Sequence, residues 1–175
     1  NGIEFHLKGQ LEVARAAYQF AKHNCLLHSD LLRQLKLTYR LALVSNFYGN
    51  LTTVLQDFEL TAIFETVVES AVVGVKKPDP AIFTVACERL QLAAENVVVI
   101  GDSYQKDMLP ALSIGCSGYW LQGRGWADST ASEAALPLIP QIAAGMGAEN
   151  SVNKDEVPSI TPLQSLQDLP GLLRS

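Results

Sequence analysis

The spacing of apolar positions changes along the chain and sets out its elements. Over residues 8–24, Leu11, Ala14, Ala17, Tyr18 and Ala21 recur at helical spacing with charges opposite, which predicts an amphipathic helix. Ser29 or Asp30 caps a shorter helix that runs to about Leu37. Residues 40–45 (RLALVS) predict a strand, 46–50 a loop containing Gly49, and a helix follows to about Phe58. Residues 66–68 predict a short strand. Asp79–Pro80 reads as a helix cap followed by proline at the first helical position, opening a helix that carries Ile82, Phe83, Val85, Ala86 and Leu90. Residues 97–100, four β-branched apolar side chains in a row, predict a strand buried on both faces, with Gly101 turning the backbone at its end. The helix after Asp107 carries Pro110 in its first turn and ends at Gly115 in a left-handed cap. Residues 117–121 predict another strand, 157–160 a last short one, and 163–173 a terminal helix.

Strands alternating with helices of about ten residues imply βαβ units, a mostly parallel sheet and right-handed crossovers. Residues 122–156 break the alternation. Gly, Ala, Ser and Pro dominate there, and Pro137 and Pro140 interrupt any helix, so the segment reads as a loop-rich excursion. Within it Gly123-Arg124-Gly125-Trp126 suits a mobile flap, a partner contact or a disordered insertion.

Composition narrows the function classes. Apolar residues at 48% and charged residues at 18% describe a globular chain rather than a disordered one. The net charge is −5 and no basic cluster exceeds the pair Lys76–Lys77, so a nucleic-acid footprint is absent. No apolar run approaches the ~18 residues of a membrane span, and no secretory leader is visible. Cys25, Cys87 and Cys116 are an odd, scattered set without a CxxC pair, which argues against a disulfide framework and a zinc site and for reduced thiols in a cytoplasmic protein. His23, Cys25 and His28 read as a surface helix end, since no second cluster completes a four-ligand site. The chain starts with Asn1, and its methionines, Met108 and Met146, lie far inside it, so sequence upstream of Asn1 is expected.

Candidate chemistry gathers at the ends of strands. Asp102 and Asp107 follow the carboxyl end of an apolar parallel strand, where open α/β sheets place their ligands. Their oxygens suit a hard cation such as Mg²⁺. Strand 40–44 ends in Ser45–Asn46, and Lys77 stands just before the helix opened by Asp79–Pro80. In one parallel sheet these loops open at the same edge and bring together a hydroxyl, a cation and two carboxylates, the groups a phosphate dianion and its metal require. Plainer readings stand beside this one. Ser45 also suits a strand-end turn, Asp107 a helix N-terminal charge favoured by the dipole, and Asp79 a helix cap rather than a catalyst.

The segments LALVSN, GVKKPDPAIF and VVVIGDSYQKD resemble, in order, spacing and strand context, the second, third and fourth motifs of haloacid dehalogenase-like hydrolases. The resemblance covers residues 40–121, and the tail SITPLQSLQDLPGLL follows the family's ending more loosely. It implies an α/β fold, a Rossmann-like, mostly parallel sheet flanked by helices, with a mobile cap. Residues 1–38 would be a partial helical cap and 39–175 the core. It also implies roles. Ser45 would hydrogen-bond the transferring phosphoryl group, and Asn46 would help bind substrate by backbone or side chain. Lys77 would neutralise phosphoryl and nucleophile charge. Asp102 would be the principal Mg²⁺ ligand from this chain, and Asp107, with Ser103 nearby, would orient the metal's water shell. The implied substrate is a small phosphorylated metabolite.

The family's chemistry starts from an Asp-x-Asp pair after the first strand, whose leading Asp forms an aspartyl-phosphate. The eight aspartates here, at 30, 57, 79, 102, 107, 128, 155 and 168, include no two separated by one residue. The nucleophile is therefore absent from this chain. In the family the missing strand lies between the strand ending at Ser45 and the strand ending at Gly101. The expectation is a Mg²⁺-dependent phosphatase when intact, with this chain inactive alone. The alternatives are a haloacid dehalogenase, a mutase, or a non-catalytic relative kept as an interaction module.

Overall fold

The computed structural model describes residues 2–122 and 158–173. Beyond Gln122, the loop-rich excursion, including Gly123 to Trp126, lies outside the described residues, as does Val157. In chain order the elements are α1 (Gly2–Leu27), α2 (Ser29–Lys36), β1 (Ala42–Ser45), α3 (Leu51–Asp57), β2 (Thr66–Glu69), α4 (Ser70–Val73), α5 (Ala81–Leu90), β3 (Val98–Gly101), α6 (Leu109–Ser113), β4 (Ser117–Leu121), β5 (Ile160–Leu163) and α7 (Leu169–Leu172). They divide into two compact units, Asn1–Leu41 with Asn50–Glu65, and Ala42–Gly49 with Thr66–Ser175.

The first unit is helical. Leu31, Leu35, Leu51, Leu55, Phe58, Leu60 and Ile63 are its buried apolar residues. Tyr18 meets Phe58 edge-to-face at 5.3 Å, and its hydroxyl donates to Asp57 Oδ2 at 3.0 Å, where Lys22 Nζ also arrives at 3.1 Å. The apolar stripe expected along α1, Leu11, Ala14, Ala17, Tyr18 and Ala21, is exposed.

The second unit holds all the described strands. β1 and β2 pair in parallel, Ala42 opposite Thr66 and Ser45 opposite Glu69. β3, β4 and β5 form a second parallel sheet with β4 in the middle, Val98 opposite Ser117 and Gly118 opposite Ile160. Among the described residues no ladder joins β1 to β3. The described strands thus form two separate parallel sheets. Both sheets reach one core: Val44 of β1 and Val99 of β3 pack against the cluster of Val68, Ile82, Phe83 and Ala86. The apolar 3.6-residue spacing of α5 makes this possible, since it turns Ile82, Phe83 and Ala86 to one side.

Two sequence expectations change here. Strand 97–100 was expected to be buried on both faces, yet Val98 and Ile100 are 42% and 40% exposed. Among the described residues β3 pairs with β4 alone and so stands at the sheet's edge, and the face carrying Val99 meets the core. The last strand lies at Ile160–Leu163 rather than 157–160, and a short 3₁₀ turn at Leu166–Asp168 precedes α7. Pro162 lies within β5, which stands at the sheet's edge among the described residues, where a missing N–H is tolerated. Leu163 and Leu169 anchor this end, both almost fully buried.

Candidate functional site

Within the second unit, hydrogen bonds join three of the expected residues, Asn46, Lys77 and Asp107. Ser45 closes β1 and is half-buried, and Asn46 follows it on the surface. The Asn46 amide is used at both ends by one residue: Lys77 N donates to Asn46 Oδ1 at 2.8 Å, and Asn46 Nδ2 donates to Lys77 O at 3.0 Å. Lys77 in turn sends its ammonium to Asp107 Oδ1 at 2.6 Å. Lys77 is thereby tied through its backbone to the end of β1 and through its side chain to the turn after β3.

Asp107 is 4% exposed, and such a carboxylate needs partners to remain charged. Lys77 supplies one on Oδ1, and Ser103 N donates to Oδ2 at 3.1 Å. The backbone brings it there through a π-helical turn at Tyr104–Met108, opened by Ser103, whose hydroxyl accepts from Lys106 N. Gly101 makes room for it. A Cβ at Gly101 would stand 2.5 Å from Asp107 Cβ and 2.6 Å from its carboxyl atoms. The glycine expected to turn the chain is therefore still part of β3, and what it provides is space for the Asp107 side chain. Asp79 accepts from Ala81 N at 2.9 Å, one residue earlier than expected relative to the helix, since Pro80 stands at the N-cap and Ala81 is the first helical residue.

Asp102 lies just past β3 and is exposed. Its carbonyl accepts from Trp120 Nε1 at 3.1 Å, and the Trp120 ring packs on Tyr104 at 5.0 Å, which fixes the backbone from which the carboxylate projects. Among the described residues no three His, Cys, Asp or Glu side chains cluster to hold a metal. The donors expected from the sequence, Asp102 and Asp107, are hard oxygens. Mg²⁺ fits that set, because it is commonly held by one or two carboxylates with water and phosphate oxygens filling its octahedron. Both Asp107 oxygens already accept hydrogen bonds, from Lys77 Nζ and Ser103 N.

The thiols stand apart from this chemistry. Burial first, and then the neighbouring Cys87, pushes the Cys116 thiol up to about 12. Burial also raises Cys87 and Cys25. None is poised as a thiolate nucleophile. His28 Nδ1 lies 2.9 Å from Asn24 O, as expected of a helix end.

Sequence reasoning missed three residues that shape the site. Trp120 carries no local signal beyond its place at the end of an apolar strand. Glu69, 4% exposed, and Ser70 end β2 and fasten the loop that carries Asn46. A charged residue closing an otherwise apolar strand was the available clue.

Comparison with known proteins identifies the family. Residues 10–115 match the family model for haloacid dehalogenase-like hydrolases. The chain is 45% identical over 78 residues to haloacid dehalogenase-like hydrolase domain-containing protein 3 of Danio rerio, covering 45% of this chain and 32% of the relative. It is 28% identical over 102 residues to glyceraldehyde 3-phosphate phosphatase of Pyrococcus furiosus, covering 55% of this chain and 42% of the relative. In both cases the chain spans less than half of the relative's own length. Among solved structures it resembles the magnesium-bound HAD-hydrolase YfnB of Bacillus subtilis with a TM-score of 0.57 and 21% identity, over 83% of this chain and 53% of that one, a likeness of Rossmann-like fold. With the matched segment covering more than half of its length, the chain belongs to the haloacid dehalogenase-like hydrolase family.

Proposed function

We propose that this site is the metal- and phosphate-binding part of a Mg²⁺-dependent phosphatase that acts on a small phosphomonoester. The observation that carries the reading is Lys77, held by backbone to Asn46 and by its ammonium to Asp107. A cation fixed between two strand ends serves an anion that lands there, and a solvated surface lysine needs no such anchoring. In this reading Ser45 donates its hydroxyl to a phosphoryl oxygen and the Asn46 backbone donates a second hydrogen bond. Lys77 neutralises charge on the transferring group, and Asp107 keeps the ammonium aimed. Mg²⁺, held by Asp102 with water oriented by Asp107, would supply further charge neutralisation. The phosphatase name of the Pyrococcus relative supports phosphate over carbon–halogen chemistry.

The covalent step of the family needs an Asp nucleophile, and no Asp-x-Asp pair occurs in this sequence. The chain by itself is therefore proposed to bind Mg²⁺ and phosphate without turning over. The test is an aryl-phosphate assay with Mg²⁺ beside a titration with inorganic phosphate. Phosphate binding that is lost in Lys77→Ala, with no turnover, is the expected result. Turnover abolished by Asp102→Ala would show that the chain carries its own nucleophile. Absence of phosphate binding would remove the phosphatase reading.

A further inference from the structure

We propose that Glu69 and Ser70 are positioning residues for Lys77, acting through the loop at residues 46–49. Glu69 ends β2 directly opposite Ser45, and its carboxylate is buried. A buried carboxylate draws donors toward itself, and Gly49 N donates to Glu69 Oε1. Gly49 adopts φ +96°, a left-handed conformation that lets the loop turn this N–H inward. Next to Glu69, Ser70 Oγ accepts from Phe47 N at 3.1 Å and donates to Phe47 O at 3.2 Å. Two adjacent side chains thus fix three backbone groups of the loop.

Asn46 immediately precedes those groups. Where it stands determines where its amide meets the Lys77 backbone, and the Lys77 backbone determines where the ammonium reaches. A long lysine side chain has many rotamers, so anchoring its backbone at two points is an effective way to place its charge. The hydrogen bonds form one series: Glu69 and Ser70 to the loop, Asn46 to Lys77, Lys77 to Asp107. The functional consequence rests on the proposed phosphate reading, whereas the relay itself does not.

The experiment is residue-resolved amide exchange on the full chain with Glu69→Ala, Glu69→Gln and Ser70→Ala. In Glu69→Ala the Lys77 amide is expected to exchange about tenfold faster, the scale of one lost charge-assisted hydrogen bond. Glu69→Gln, which keeps an acceptor, is expected to restore most of the protection. The Ser117 amide, bonded to Val97 O in the other sheet, should not change. Acceleration at Gly49 without any at Lys77 would overturn the relay. So would equal acceleration at Lys77 and Ser117, which would signal a loosened fold rather than a positioned lysine. Should Glu69→Ala fail to fold, Ser70→Ala gives the same comparison at Lys77. A parallel titration with inorganic phosphate and Mg²⁺ should show affinity weakened about tenfold in Glu69→Ala and near wild type in Glu69→Gln. If the wild-type chain binds no phosphate, the proposed function fails while the exchange result still decides the relay.

Discussion

Lys77 Nζ donates to Asp107 Oδ1 at 2.6 Å, joining residues thirty positions apart, with 18% and 6% of their side chains exposed. The pair closes the gap between the loop before α5 and the turn after β3. Its energetics follow from its burial. Removing Lys77 alone leaves a nearly buried carboxylate with one partner fewer, which is worse than removing both charges.

A double-mutant cycle should show this. Lys77→Met and Asp107→Asn are each expected to destabilise the second unit. The double variant should lose less than their sum, with a coupling of about 1–3 kcal/mol. Urea unfolding of the four proteins measures it, and additive losses would mean that the contact carries no net energy.

Gly101→Ala should act on Asp107. The added methyl group would meet the Asp107 side chain at 2.5 Å, so that side chain must move. A loss of about 1–3 kcal/mol is expected, typical of overpacking, together with weaker Mg²⁺ binding. Calorimetric titration and urea unfolding of this one variant give both results. A Gly101→Ala protein with wild-type stability would show that Asp107 can leave without cost.

Legibility from sequence varied with the range of the physics. Lys77 and Asp107 could be singled out from the sequence because residue type and position beside the end of an element are local properties, and the structure brings the two into contact. The role of Gly101 was not, because the close approach of Asp107 is set by the π-helical turn that follows and not by the glycine's own neighbours. Glu69 was missed for a similar reason: its burial is compensated by an N–H twenty residues earlier in the chain. The run of β-branched residues at 97–100 located β3 to within one residue. Whether its two faces are covered depends on which strands stand beside it, and a run of valines does not reveal that.

The thiols give a pH dependence. Cys116 stays protonated in the fold to about 12, while in the unfolded chain it ionises near the ordinary thiol value of about 8.5. Across that interval the unfolded chain binds fewer protons. The contribution of Cys116 to stability is therefore complete below the ordinary value and is lost as pH rises toward about 12. Stability of wild type should fall more steeply over this range than that of Cys116→Ala, and parallel curves would contradict the burial argument.

In the helical unit the sign is reversed. Hydrogen bonds from Lys22 and then Tyr18 hold the Asp57 carboxyl below its usual range. Its contribution is present above the ordinary aspartate value of about 3.9 and disappears as pH falls below it. Asp57→Asn should flatten the acid limb of the unfolding curve, and an unchanged limb would show that these exposed pairs contribute nothing.

The most direct test of the central claim is to locate a bound divalent cation by paramagnetic broadening. Mn²⁺ accepts the same carboxylate and water ligands as Mg²⁺. Titrated into the ¹⁵N-labelled chain, it should broaden the amides of Asp102 through Asp107 and of Ser45 and Asn46. Excess Mg²⁺ should reverse the effect, and Asp102→Asn should abolish it. Broadening confined to other parts of the chain, or an Asp102→Asn protein that responds like wild type, would contradict a metal and phosphate site at these strand ends.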